Sequence, residues 1–282
     1  MKHEHGWLEF RHSEARGTSR LYRQSWLPEG ESRAAVVLVH GLGEHSGRYE
    51  YLAAHCSARG FAVHALDHYG HGKSDGLAGH VERFSVYLDG VRELVGRVRD
   101  EHPGIPLFLL GHSMGGLIAA AFLREAQSEF RGAVLSGPAL KSDAAPPAIV
   151  LWINRLLSWL APTLPMIGLD PAGVSRDAKV VRAYVGDPLV HHGKVRARLI
   201  AEMMAAMNKT LAQAPDINLP ILIMHGEDDV LTSPDGSREF FAHAGSADKT
   251  LKIYPGLYHE IFNEPEKDVV LTEMTDWLEA HL

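Results

Sequence analysis

Gly111-His112-Ser113-Met114-Gly115 follows the apolar run Leu107-Phe108-Leu109-Leu110 and leads into a helix-like stretch that ends at Ala126. A Gly-x-Ser-x-Gly turn between strand and helix forces the serine into a strained backbone conformation. The small residues two before and two after it let strand and helix approach closely. The hydroxyl then stands at a helix N-terminus, where free N–H groups and the positive end of the helix dipole favour developing negative charge. Taken alone, the five residues equally describe a tight glycine-rich turn. Their place between strand and helix makes Ser113 a candidate nucleophile.

Outward from this turn, short apolar runs recur at 34–39, 61–66, 107–110, 133–135, 221–224 and 251–254, most of them followed by Gly, Pro, His or Asp. Helical patterns at 49–59, 84–101, 114–126, 237–244 and 267–282 alternate with them. The alternation predicts an α/β fold, a mostly parallel central sheet with helices on both faces, in one domain over 1–282. A hairpin near 7–11 and 20–26 adds antiparallel edge strands. The alternation fails between Gly137 and Pro220, where no clear strand and two or three helix-like pieces are seen, so 138–218 is expected to be a helical cap inserted in the domain. Within it Ile149, Trp152, Ile153, Leu156, Leu157 and Leu160 form an apolar stripe, while Val150 and Leu151 make the opposite side apolar too. Such a helix packs on the core, or lines an acyl channel and touches a lipid surface, and the two readings are compatible. Ile153 is the candidate acyl contact on this stripe.

Composition narrows the function classes. A net charge of −7 with 45% hydrophobic residues gives no electrostatic basis for binding nucleic acid. The single cysteine, Cys56, excludes an intrachain disulfide, fits a reducing compartment, and reads as a small buried apolar residue. The start, Met1-Lys2-His3-Glu4-His5-Gly6, lacks the apolar core of a secretory signal. The most apolar region, 144–169, is interrupted by Asn154, Arg155 and four prolines, so no membrane span is expected. A cytosolic protein, with at most peripheral membrane contact, is the expectation; oligomeric state is not legible.

A serine hydroxyl needs a base within hydrogen-bond reach and a carboxylate that fixes the base's tautomer. In α/β-hydrolases these follow the serine in the order acid, then histidine, on loops after late strands. Two loops qualify, His225-Gly226-Glu227-Asp228-Asp229 and Pro255-Gly256-Leu257-Tyr258-His259-Glu260. His259 is the candidate base; Glu227, Asp228 and Asp229 are not separated by position alone. The oxyanion needs two N–H donors, one from the residue after the nucleophile, Met114, and one from the glycine-containing loop His40-Gly41-Leu42-Gly43-Glu44-His45, where Leu42 is the candidate. Asp67-His68-Tyr69-Gly70-His71-Gly72-Lys73-Ser74 reads as a turn that shapes the fold. His64, His68, His71 and His80 lack metal-ligand spacing, and no metal or cofactor is expected.

The segments His40-Gly41-Leu42-Gly43-Glu44-His45-Ser46-Gly47-Arg48-Tyr49, Asp67 to Ser74, Gly111-His112-Ser113-Met114-Gly115-Gly116 and Tyr254-Pro255-Gly256-Leu257-Tyr258-His259 resemble monoacylglycerol lipases of the α/β-hydrolase superfamily. The resemblance runs from about residue 20 to the end and is weakest over 140–215. It implies Asp229 as the acid, with Asp228 the fallback. It also implies that Glu44 and Arg48 lie at the glycerol end of the site or brace that loop, with His112 and Tyr184 near the same polar end. Vertebrate members carry a histidine three residues beyond the catalytic one, where this chain has Phe262, which implies a different head-group environment. The expected reaction is hydrolysis of a monoacylglycerol to fatty acid and glycerol through an acyl-enzyme. A lysophospholipase or broad carboxylesterase would use the same triad, and a non-catalytic ligand-binding relative is the remote alternative.

Overall fold

A computed structural model describes residues 1–12, 18–141 and 148–282, without the side chains of 148–152. The Ile149 and Trp152 positions of the apolar stripe therefore lie outside the described side chains.

The central strands are apolar throughout because helices cover both faces. β1 (Lys2–Phe10) and β2 (Ser19–Leu27) form an antiparallel hairpin longer than the sequence pattern suggests, and the polar start belongs to it. The hairpin is followed by β3 (Ala34–Val39), α1 (Glu50–Ala58), β4 (Phe61–Leu66), α2 (Ser85–Glu101), β5 (Leu107–His112), α3 (Met114–Ala126) and β6 (Gly132–Ser136). The chain then leaves the main sheet for α4 (Ala148–Leu160), β7 (Pro165–Ile167), α5 (Ala178–Gly186), β8 (Val195–Arg196) and α6 (Ala197–Ala212). It returns with β9 (Ile221–Gly226), α7 (Pro234–His243), β10 (Lys249–Tyr254) and α8 (Lys267–Ala280). The eight-stranded order is β1-β2-β4-β3-β5-β6-β9-β10, parallel from β4 to β10. This is the α/β-hydrolase fold.

Strand side chains alternate faces. Val37, Leu109, Leu135 and Ile223 meet Val91, Leu94 and Leu117 in one core, while Val36, Leu110, Val134 and Leu222 meet Leu52, Cys56, Leu271 and Met274 in the other. Burial pushes the Cys56 thiol up to about 12, so it behaves as a packing residue. One expectation is corrected: the segment between β6 and β9 contains strands, the short antiparallel pair β7 and β8. Two- and three-residue strands carry no periodicity, and their pairing is a long-range event.

Candidate active site

Ser113 sits between β5 and α3 at φ 56°, the one non-glycine residue with positive φ among the described residues. Crowding explains the glycines around it. A Cβ on Gly111 would lie 2.3 Å from the Gly115 carbonyl oxygen, and one on Gly115 2.0 Å from that of Val39. Any larger residue would push α3 away from β3 and β5. The turn is tied down because the Ser113 N–H donates to the Ser136 carbonyl at 2.9 Å, and its carbonyl accepts from Ala139 at 2.9 Å and Leu117 at 3.1 Å.

The β9 loop separates the three acidic residues. Glu227 and Asp228 are exposed, whereas Asp229 is buried. Its Oδ1 accepts the N–H groups of Leu231 at 2.8 Å and Thr232 at 3.0 Å, and its Oδ2 accepts His259 Nδ1–H at 2.6 Å. The same Oδ2 accepts His225 Nε2–H at 3.0 Å, and His225 Nδ1 accepts the Ser237 hydroxyl at 2.7 Å. Burial would raise the Asp229 pKa, but the charge of His259 and the donors from both imidazoles overcome it and hold the carboxylate well below its ordinary range. For His259 burial favours the neutral ring, yet the Asp229 carboxylate outweighs it and raises the pKa. With Nδ1–H on Asp229, Nε2 is the free base; it has no protein partner among the described residues, and His259 and Ser113 line one cavity. His225 was missed by sequence reasoning. It stands at a strand end four residues before Asp229, a position with no motif of its own.

The loop after β3 lies against the elbow, since a Cβ on Gly41 would be 3.1 Å from Ser113 Cβ. Leu42 and Met114 both line the cavity, and among the described residues the Leu42 N–H has no protein acceptor. Met114 begins α3, so its N–H is one of the helix's unpaired donors. Glu44 lines the cavity but is committed: Oε1 accepts Gly41 N–H and Tyr49 O–H, each at 2.6 Å, and Oε2 accepts Arg48 at 2.8 Å. Arg48 also grips Glu260 through two bonds of 2.6 and 2.8 Å and lies 4.7 Å from the centre of the Tyr184 ring. Arg48 is outside the cavity wall; Tyr184 is in it. His112 lines the cavity 4.8 Å from the His259 ring, and burial, with the charge of His259, pushes its pKa down to about 4. Ile153 is 43% exposed and not in the wall; the neighbouring Asn154 is. Phe262 is buried among side chains of the α1 and α8 core, away from the wall.

The cavity holds about 850 Å3. Its polar lining includes Glu44, His112 and Glu260 together with Lys141, Asn154, Asn208, Thr232 and Glu239, whereas Met166, Leu169, Ile200, Met203 and Met207 supply apolar wall. No three His, Cys, Asp or Glu side chains among the described residues could hold a metal ion.

A serine on a strained strand-to-helix turn, in one cavity with an aspartate-held imidazole, places the protein among the serine hydrolases of α/β-hydrolase fold. A family model described as "Serine aminopeptidase, S33" matches residues 30–266. The monoacylglycerol lipase of Mycolicibacterium smegmatis is 42% identical over 94% of this chain and 95% of its own length. The crystal structure of Paleococcus ferrophilus monoacylglycerol lipase superposes with a TM-score of 0.85 at 34% identity, covering 93% of this chain and 99% of that one. A soluble variant of the Saccharomyces cerevisiae monoglyceride lipase, solved with a substrate analog, gives a TM-score of 0.85 at 27% identity over 100% and 95% of the two chains. The chain belongs to the monoacylglycerol lipase family.

Proposed function

We propose that the protein hydrolyses monoacylglycerols, with Ser113 as nucleophile, His259 as general base and acid, and Asp229 as the carboxylate that fixes His259. The observation that carries this reading is the shared cavity: Ser113 and His259 open on a space whose wall is mostly apolar, with Glu44, His112 and Glu260 among its polar residues. Ser113 Oγ attacks the ester carbonyl and its proton passes to His259 Nε2. Asp229 stabilises the imidazolium, and the Leu42 and Met114 amides hold the oxyanion. His259 then protonates the departing glycerol oxygen, and water activated by the same nitrogen attacks the acyl-enzyme to release fatty acid. No cofactor enters the scheme.

We read the chain as one domain with 138–218 as its cap. Each acyl methylene that the apolar wall takes from water contributes about 0.8 kcal/mol, so chain length should govern kcat/KM until the cavity is full. Trp159 and Leu160 on α4 are 74% and 61% exposed, and Ile167, which lines the cavity, is 55% exposed. This apolar surface supports docking of the cap on a lipid surface, from which a monoacylglycerol could enter.

The test is kcat/KM on C8 to C18 monoacylglycerols, matched lysophosphatidylcholines and short p-nitrophenyl esters, with Ser113→Ala as the blank. Preference for monoacylglycerols, abolished by S113A, is the expected result. Equal or faster turnover of lysolipids would overturn the substrate assignment while leaving the triad standing.

A further inference from the structure

His40 takes no part in the proton transfers, yet it is fully buried at the root of the oxyanion loop and uses both ring nitrogens. Nε2 accepts the His68 backbone N–H at 2.9 Å, which places the ring proton on Nδ1. Nδ1 lies 2.8 Å from the Gly41 carbonyl oxygen, which can only accept. Burial pushes the His40 pKa down to about 4, so near neutral pH the ring has the single proton this arrangement requires.

The Gly41 carbonyl and the Leu42 N–H belong to one peptide plane. No described peptide is cis, so the two groups point to opposite sides of the chain. Holding the oxygen on His40 therefore turns the N–H away from His40. The preceding plane is held too, because Gly41 N–H donates to Glu44 Oε1 at 2.6 Å, and Glu44 is fixed in turn by Tyr49 and Arg48. Two consecutive peptides are thus clamped by buried side chains; the second carries the N–H of Leu42, a cavity-lining residue, and that N–H has no protein acceptor among the described residues.

We propose that His40 is a positioning residue that presets the Leu42 amide as an oxyanion donor, with Glu44 holding the adjoining peptide. The inference rests on the serine-hydrolase reading of Ser113 and deepens it. Donors fixed before the reaction need no reorganisation as charge develops. His40 acts through Gly41 and does not touch substrate.

Two substitutions dissect the ring. In His40→Asn the amide nitrogen occupies the place of Nδ1 and keeps a donor for Gly41. In His40→Gln the side-chain oxygen reaches the place of Nε2 and keeps the acceptor for His68, while the donor to Gly41 is lost. Both are compared on p-nitrophenyl butyrate and a medium-chain monoacylglycerol, and for binding of an alkyl boronic acid, which forms a tetrahedral adduct on Ser113, and of a fatty alcohol, which has no carbonyl. H40Q is expected to lower kcat on both esters and to weaken the boronate by ten- to a hundred-fold, with KM and fatty-alcohol affinity within two-fold; H40N should regain at least part of that loss. Equal weakening of boronate and alcohol, or an unaltered boronate affinity in H40Q, would overturn the proposal. Should neither variant fold, 15N NMR of the wild-type imidazoles decides: a neutral Nδ1–H tautomer for His40 at pH 7 supports it, and an Nε2–H tautomer or an imidazolium overturns it. Wild-type turnover of the p-nitrophenyl ester without turnover of monoacylglycerol would reject the substrate assignment alone, since the His40 comparison then stands on the ester.

Discussion

His225 and His259 donate to the same oxygen of one carboxylate, Asp229 Oδ2, at 3.0 and 2.6 Å. The shared acceptor gives the carboxylate a second imidazole donor besides His259. It also spreads the negative charge over two donors, so His225 moderates how strongly Asp229 raises the His259 pKa.

Replacing His225 with Leu removes one donor from a buried carboxylate. Stability should fall by about 1.5–3 kcal/mol, the range for a hydrogen bond to a charged group. Asp229, less satisfied, then holds the His259 proton more strongly, and the acid limb of kcat/KM should move to higher pH. Urea denaturation and a pH–rate profile of H225L check both; an unchanged profile would show that His225 only packs.

Asp229→Asn should lower kcat by about 10³–10⁴-fold by favouring the wrong His259 tautomer, with little change in KM. Asp228→Asn, on an exposed side chain, should remain within about two-fold of wild type. A large loss in D228N would reassign the acid.

The wild-type acid limb should lie above the ordinary histidine pKa of about 6.5, because Asp229 raises the folded-state pKa of His259 and activity needs the neutral ring. A stopped titration of kcat/KM from pH 5 to 9 measures it, and a midpoint below 6 would contradict the arrangement.

Stability has the opposite histidine signature. His40, His64 and His112 are held at about 4, His71 at about 3, and His68 well below its ordinary value, chiefly by burial. The unfolded chain takes up protons near pH 6.5 where the folded chain does not. The stability these neutral rings permit is therefore complete above that pH and is lost as pH falls toward 4, by about 1.4 kcal/mol per pH unit for each ring. Chemical denaturation at pH 7, 6 and 5 should show a steep decline; a flat response would mean the rings titrate normally.

Trp159→Ser with Leu160→Ser should reduce turnover of monoacylglycerol in vesicles several-fold while leaving hydrolysis of a soluble short ester within two-fold. Equal losses on both would assign the two side chains to packing.

Much of this architecture is legible in the sequence because its signals are local. β3, β4 and β5 are short apolar runs ended by turn residues, and the elbow glycines advertise a crowded junction. The acid was narrower than composition allowed: Glu227, Asp228 and Asp229 are adjacent, and only the curl of the loop after β9 buries the third. His225 and His40 stand in loops the sequence singles out, but their roles were not legible there, since Ser237 and Asp229 meet His225, and His68 meets His40, only in the folded chain. β7 and β8 were equally silent, being pairs of brief segments separated by α5.

β6 and β9 pair directly, although the intervening chain runs from Gly137 to Pro220. The excursion therefore departs and returns one strand spacing apart, about 4.8 Å. Its ends are anchored by the sheet, and between them Tyr184, Ile200 and Met203 reach back to the cavity that Ser113 and His259 line. One excursion between two neighbouring strands thus walls the space beside the elbow without interrupting the sheet from which the elbow turns.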